Sequence, residues 1–293
     1  RGKGIKPIAG ADVWVANPEA PEDPYRLLLL VRNRQGYRQL CELLTRAYLV
    51  EGRRERAEIR REWFTEIGCD GLIALSGAHL GDIGEALMHG NFDLALERAK
   101  AWETIFPDAF YLEVQRYGQP QQEPMVQQTA DLAGETGIPL VATHPVQFMQ
   151  RDDFRAHEAR VCIAEGYVLG DSRRPKTYTE AQYFKTQAEM LELFADLPEA
   201  LENTLEIARR CNIEMTLGKN FLPDFPIPPG MTIDEFLVEE AKKGLEVRLA
   251  ELYPDPEIRQ QRRPEYDDRL AFECNTIIQM GFPGYFLIVA DFI

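Results

Sequence analysis

Apolar residues along this chain fall into two rhythms, short unbroken runs and stripes of helical spacing. The runs predict strands. Residues 5–15, IKPIAGADVWV, read as a strand with Asp12 near its end, and residues 27–31, LLLLV, as a second. Residues 71–75, GLIAL, form a third that ends in Ser76-Gly77. Residues 109–114, AFYLEV, and 138–142, IPLVA, complete the set. None is long enough for a helix, and uninterrupted apolarity suits a strand covered on both faces.

The stripes predict helices between these strands. Gly36 opens one, with Tyr37, Leu40, Cys41, Leu44, Ala47 and Tyr48 on a common face. Two more lie near 82–89 and 92–106, and another at 121–136 is ended by Gly137 as a C′ glycine. Residues 51–62, EGRRERAEIRRE, interleave both charges, which favours an exposed connection or a solvated helix over a nucleic-acid grip. Strands alternating with helices across short loops indicate parallel α/β architecture, with a barrel and a doubly wound sheet both open.

After about residue 170 the rhythm changes and no strand is predicted. Asp196 caps a helix that has Pro198 in its first turn and runs to about Cys211. Residues 221–230, FLPDFPIPPG, read as a stiff linker. Thr232 and Glu235 form a capping box for a long helix. Pro264 opens another helix, which Gly281 stops, and a tight turn at residues 281–284 leads to an apolar segment where Phe282, Tyr285 and Phe286 read as core. This divides the chain into 1–210, a linker at 211–230 and a final part at 231–293. Arg1 is not an initiator methionine and the chain stops inside an apolar run, so it reads as a piece of something longer, with exposed edges prone to aggregation.

Composition changes this picture only modestly. A hydrophobic fraction of 45% and a charged fraction of 28% are those of a globular protein. The net charge of −15 argues against a general grip on phosphate backbones. Five cysteines without a C-x-x-C pair read as reduced thiols in a cytoplasmic protein. No apolar run approaches the roughly 20 residues of a membrane span, and no signal peptide is evident.

The richest stretch for chemistry is 137–163, GIPLVATHPVQFMQRDDFRAHEARVCI, a strand, a loop and a helix beginning at Asp152. Loops leaving parallel strands are where α/β proteins build sites. Here that loop carries Thr143, His144, Pro145, Val146 and Gln147. A hydrolytic metal centre needs several ligands converging on one point. The chain has only His79, His89, His144 and His157, with no H-x-H pair. His157-Glu158 begins like H-E-x-x-H, but Val161 stands where the second histidine belongs. His144 and His79 therefore read as structural or solvent-facing. Asp12 and Glu113, near strand ends, read as hydrogen-bonded or solvated carboxylates. No P-loop, nucleophile elbow or G-x-G-x-x-G is present.

Several strings together resemble one family. They are KPIAGADVWV, NRQGYRQLCELLTRAYL, LIALSGAHLGDIG, YLEVQRYG, LVATHPVQFMQRDDFRAHEARVCI, LFADLPEALENTLEIARRCN and RRPEYDDRLAFECNTIIQMGFPGYFLIVADFI. They are similar to the alpha subunits of bacterial DNA polymerase III, the family C replicative polymerases. The resemblance implies a PHP domain over residues 1–210, a (β/α) barrel incomplete at its N-terminus, followed by a mainly helical connection into the palm. In family members with a live PHP site the ligands come from several strand ends. This chain has Asp12 where the family has a glutamate, Arg26 in place of a histidine and Ala78 in place of a cysteine. Pro145 and Gln147 stand where an aspartate and a histidine are expected. Arg26 substitutes a fixed positive charge for a ligand. The resemblance thus implies a vestigial cleft of Asp12, Arg26, Ala78, Glu113, His144, Pro145 and Gln147, without metal and without catalytic residues. It also implies DNA synthesis with Mg2+ on palm residues beyond Ile293, and docking of a proofreading exonuclease subunit on the PHP domain. A sliding clamp, a clamp loader and primer-template DNA would be met elsewhere in the polymerase. A working PHP phosphoesterase or 3′–5′ exonuclease using Asp12, Glu113 and His144 is the alternative.

Overall fold

The computed structural model describes residues 4–50, 56–219 and 221–293. Residues 51–55 of the charged string 51–62 therefore lie outside the described residues, as does Asn220 of the linker range. The chain divides into two compact units, one up to Met215 and one from Thr216 to Ile293.

The first unit is built on strands β1 (Gly10–Val15) and β2 (Tyr25–Val31), followed by helix α1 (Arg34–Val50), the two-residue strand β3 (Glu58–Ile59), α2 (Arg61–Ile67) and β4 (Leu72–Leu75). Next come α3 (Asp82–Met88), α4 (Phe92–Ile105), β5 (Phe110–Gln115), α5 (Gln122–Thr136), β6 (Leu140–Thr143) and α6 (Phe154–Glu165). Helices α7 (Gln187–Leu193) and α8 (Pro198–Arg210) complete it. Among the described residues six strands form one sheet, in the order β3-β1-β2-β4-β5-β6.

The sheet is mixed, where an all-parallel one was expected. β1 with β3 and β4, β5 and β6 with one another run parallel, but β2 is antiparallel to both β1 and β4. The reason lies in residues 16–24, which hold no helix. A parallel crossover needs a dozen or more residues, so β2 has to run back beside β1. No strand pair closes the sheet into the expected barrel among the described residues.

The apolar runs are buried as their composition requires. Leu29, Val31, Leu72, Ile73 and Leu112 are fully covered, and helices bring Leu43, Phe64, Trp102, Phe106 and Leu132 against them. Each such side chain contributes roughly 1.5–3 kcal/mol relative to exposure. Phe64 meets Trp102 and Phe106 edge to face, with centroids 5.6 and 5.4 Å apart.

Four boundaries differ from expectation. Strand β1 begins at Gly10 rather than residue 5. Gly36 lies inside α1 rather than opening it, because its backbone packs directly on that of Gly71. Asp196 does not cap α8, whose N-cap is Leu197; its carboxylate is taken by Arg116, with Nη2 2.8 Å from Oδ2. Pro264 sits within a longer helix, α10 (Pro256–Gln279), which Asp255 caps and Pro256 opens.

Short helix α7 was not expected, yet its N-terminus carries a full capping box. Thr186 accepts from the Glu189 amide, and the Glu189 carboxylate accepts from the Thr186 amide at 2.7 Å and from the Tyr183 hydroxyl. The Tyr183 and Thr186 hydrogen bonds hold the Glu189 carboxyl down at about 2, from an ordinary value of 4.5. A depressed acid stabilises the fold above its unfolded pKa, and that contribution is lost as pH falls through the folded value. Glu189→Gln is therefore expected to lower unit 1 stability at neutral pH and to remove the part of its acid sensitivity lying between 4.5 and about 2. Urea titrations across that window check both.

The second unit holds α9 (Ile233–Leu252), α10 and α11 (Pro283–Phe292), with α9 packed on each of the other two. The Thr232–Glu235 capping box forms as its sequence requires, with Glu235 Oε2 2.8 Å from the Thr232 amide. Pro283 opens α11, so the expected turn is partly the first turn of a helix. Within this unit Leu287 is buried, whereas Phe282, Tyr285 and Phe286, expected as core, remain 43–48% exposed.

Candidate functional site

Strands β4, β5 and β6 are parallel, so their carboxyl ends share one edge of the sheet. Antiparallel β2 places its start there too: Leu28 pairs with Leu75, so Arg26 reaches past the end of β4. The expected cleft residues of these four strands and of the loops that follow them are thus brought to one edge.

Asp12 on β1 and Arg26 on β2 are diagonal neighbours on the antiparallel ladder. The Arg26 guanidinium donates from Nε at 2.8 Å and from Nη2 at 2.6 Å to Asp12 Oδ1. Asp12 is more than half exposed, so the pair is worth at most about 1 kcal/mol, but it fixes a positive charge inside the cleft. The backbone carbonyl of Arg26 lies against Gly77, where an added Cβ would meet it at 2.2 Å. Gly77 also has φ +80°, so no side chain fits there. Buried Ala78 follows in a short 3-10 turn, Ala78–Leu80.

Glu113 is the centre of the arrangement and is 1% exposed. Its Oε2 accepts from the Gly77 amide at 3.1 Å. Its Oε1 accepts from Gln115 Nε2 at 3.0 Å and from the Thr143 hydroxyl. The Glu113 amide donates to Ser76 Oγ at 2.9 Å. Three donors on one carboxylate are the pattern of a satisfied buried acid. The β5–β6 register places Gln115 opposite Thr143, which assembles this network.

His144 follows Thr143 but turns away from Glu113. Its Nε2 lies 2.9 Å from the Ala181 carbonyl oxygen and donates to it, while Nδ1 is buried without a partner. Burial holds the ring below the ordinary histidine pKa, with Lys185 acting the same way and the Ala181 carbonyl opposing. The carbonyl of Pro145 accepts from Gln182 Nε2 at 3.2 Å, and the amide of Gln147 donates to the Gln182 carbonyl at 2.8 Å. Burial, and then the charge of Arg26, hold His79 below the ordinary histidine pKa, and its Nε2 is 3.3 Å from the Tyr117 hydroxyl. His89 caps its own helix, its Nδ1 2.9 Å from the Glu85 carbonyl.

These residues do not fit the metal centre that a PHP site implies. Among the described residues no three His, Cys, Asp or Glu side chains are grouped to hold an ion. Asp12 is paired with a guanidinium, Glu113 accepts from three donors and His144 faces a carbonyl. Nor is a cysteine set as a nucleophile. All five are free thiols, and burial pushes Cys69 up to about 11.

Sequence reading alone missed Gln115 and Gln182, both buried polar residues that tie the loops together. Their available signal was a lone polar residue beside an apolar run. Among the described residues no helix is long and apolar enough to cross a membrane.

Comparison with known proteins bears directly on this geometry. Residues 1–117 match the family described as PHP domain, and residues 235–293 the one described as bacterial DNA polymerase III alpha NTPase domain. The DNA polymerase III subunit alpha of Neisseria meningitidis serogroup A is 54% identical over 295 residues, which span 100% of this chain and 26% of that protein. The subunit alpha of Pseudomonas fluorescens is 52% identical over 295 residues, and that of Escherichia coli K12 is 47% identical over 292 residues. Both alignments cover 100% of this chain and 25% of the relative. The chain spans about a quarter of the length of the curated relatives it matches. A PHP match that takes in Asp12, Arg26, Ala78 and Glu113, a polymerase match in the second unit and 47–54% identity along the whole chain make this protein similar throughout its length to part of the DNA polymerase III alpha subunits.

Proposed function

We propose that this chain is part of a DNA-directed DNA polymerase of chromosome replication, and that its PHP unit is a metal-free scaffold on which the proofreading exonuclease docks. The relatives' printed names support the replicative role. Nucleotidyl transfer, its Mg2+ and the contacts with clamp, clamp loader and primer-template DNA belong in this reading to the three quarters of the relatives' length that this chain does not span.

The observation that carries the scaffold reading is the state of Glu113. A carboxylate that already accepts three hydrogen bonds, with Asp12 held by a guanidinium and His144 turned to a carbonyl, has no second ligand converging with it on an ion. Elemental mass spectrometry on chain purified without chelator is expected to find zinc, manganese and iron each below about a tenth of an equivalent, against one or more for a working centre. Hydrolysis of p-nitrophenyl phosphate is expected to be unaffected by added manganese. The chain and the exonuclease subunit are expected to co-elute on a sizing column. A full equivalent of metal with metal-stimulated hydrolysis lost in His144→Ala would reverse the metal-free reading. Separate elution of two folded proteins would reverse the docking reading.

A further inference from the structure

Between α6 and α7 the chain runs without regular structure over the loops that leave β5 and β6. Residues 177–184 are stitched to those loops. Gln119 Nε2 donates to the Thr177 carbonyl at 3.2 Å, the Thr179 hydroxyl to the Tyr117 carbonyl, and the Phe184 amide to the Phe148 carbonyl at 3.0 Å. The Gln147 amide and the His144 ring bond to Gln182 and Ala181 from below. The segment forms a strap across the edge that the vestigial cleft occupies.

Its other anchor is His157, on the inner face of α6. That ring is 7% exposed and packs between Phe148, at 5.4 Å, and the strap's Tyr178, edge to face at 4.7 Å. Its Nε2 is buried with no hydrogen-bond partner. The site therefore suits a neutral imidazole. An imidazolium carries N–H on both nitrogens, and the Nε2 proton would be buried without a hydrogen-bond acceptor. Charged neighbours do not offset this. From its own helix His157 faces Arg160 and Glu158; from the strap comes Tyr178, and from just before it Arg174, whose Nη1 holds Glu158 Oε1 at 2.7 Å; the loop after β6 presents the uncharged ring of Phe148. Two cations thus stand against one anion that is already paired.

The geometry points to a proton-releasable strap: protonation of His157 frees residues 177–184 from α6 and uncovers the β5–β6 edge. This goes beyond the scaffold reading, since it holds whether or not an exonuclease docks. Burial, then Arg160, keeps the ring below its ordinary value of 6.5, with Glu158 opposing. A base with a lowered folded pKa holds the strap fully above 6.5 and progressively less as pH falls below it.

Amide hydrogen exchange of the 293-residue chain, corrected for intrinsic rates, tests it at about pH 7.5 and about pH 5.5. The Gln147 and Phe184 amides are expected to exchange about tenfold faster at the lower pH in the wild type, the equivalent of roughly 1.4 kcal/mol. In His157→Phe, which keeps the aromatic packing but cannot titrate, the change is expected to stay within about twofold. Arg174→Gln frees Glu158 to stabilise the imidazolium within the closed strap, so the pH-driven release is expected to shrink. Equal pH responses in wild type and His157→Phe would overturn the proposal, and so would an Arg174→Gln variant whose pH response is as large as the wild type's or larger.

Discussion

Gly36→Ala is expected to unfold the first unit under conditions where the wild type is stable. An alanine Cβ at this position would lie 1.8 Å from the Gly71 carbonyl oxygen and 2.4 Å from its carbon. The obstacle is backbone, not the end of a flexible side chain, so relief requires moving α1 away from the start of β4. Helix α1 carries Leu40 and Leu43 into the core, and β4 is buried along its whole length. Ordinary overpacking costs about 1–3 kcal/mol. Separation of two packed elements puts this substitution in the rarer class above about 4 kcal/mol. Gly134→Ala is the matched control: nothing lies within 4 Å of its added Cβ, and an α5 interior position gains up to about 1 kcal/mol in helix propensity. The three tryptophans, Trp14, Trp63 and Trp102, all lie in the first unit, so urea denaturation followed by their fluorescence reads that unit alone. Similar midpoints for the two variants would mean that the close approach of Gly36 and Gly71 is not needed for packing.

The same glycine shows where sequence reading stops. Gly36 stands near the start of a helical stripe, where glycine is ordinary punctuation, and was read that way. Its actual role depends on Gly71, distant in sequence, and no local pattern encodes that meeting. The strands were legible because burial on both faces demands unbroken apolar runs: β2, β4, β5 and β6 all lie within a few residues of their expected places. Strand direction was legible in principle from the helix-free residues 16–24, but the alternation of runs and stripes pointed to parallel order instead. Pro264 misled for a physical reason as well. Proline is favoured in a first turn, and Pro256 and Pro264 both offered that signal; only Asp255, capping through the Glu257 amide at 2.9 Å, distinguishes the true start.

For the cleft, the strand-end loops were legible as places for a site, and family resemblance named positions in them. What those positions do was not. Asp196 is a good helix cap by type, yet Arg116 takes its carboxylate from far along the chain. The donors that meet Glu113 likewise arrive from three separate strand ends, through a register that only the folded sheet sets. A buried carboxylate among strand ends reads the same in sequence whether it binds an ion or amides.

Those two roles separate under substitution, and Glu113→Leu is expected to be far more damaging than Glu113→Gln. Leucine leaves the Gly77 amide and the Thr143 hydroxyl facing a hydrocarbon side chain and takes one of two acceptors from the Gln115 amide group, which keeps Thr143 Oγ1 at 3.0 Å. Each stranded buried donor costs about 1–3 kcal/mol, and although Thr143 can rotate, a loss of about 3–5 kcal/mol follows. Glutamine keeps an oxygen for the Gly77 amide. Its new amide can donate to Thr143 Oγ1, which changes from donor to acceptor, and to Gln115 if that side chain turns its amide over. The turn gives the buried Gln115 Oε1 a partner but takes Nε2 from its bond to Thr143 Oγ1 and leaves it without an acceptor. Glu113→Gln is therefore expected to cost about 1–2 kcal/mol, with metal content and hydrolysis unchanged. A metal ligand behaves in the opposite way: glutamine would abolish binding as thoroughly as leucine does. Urea midpoints and elemental analysis of both variants distinguish the cases, and a Glu113→Gln chain that keeps its fold while losing a bound metal would show that Glu113 is a ligand.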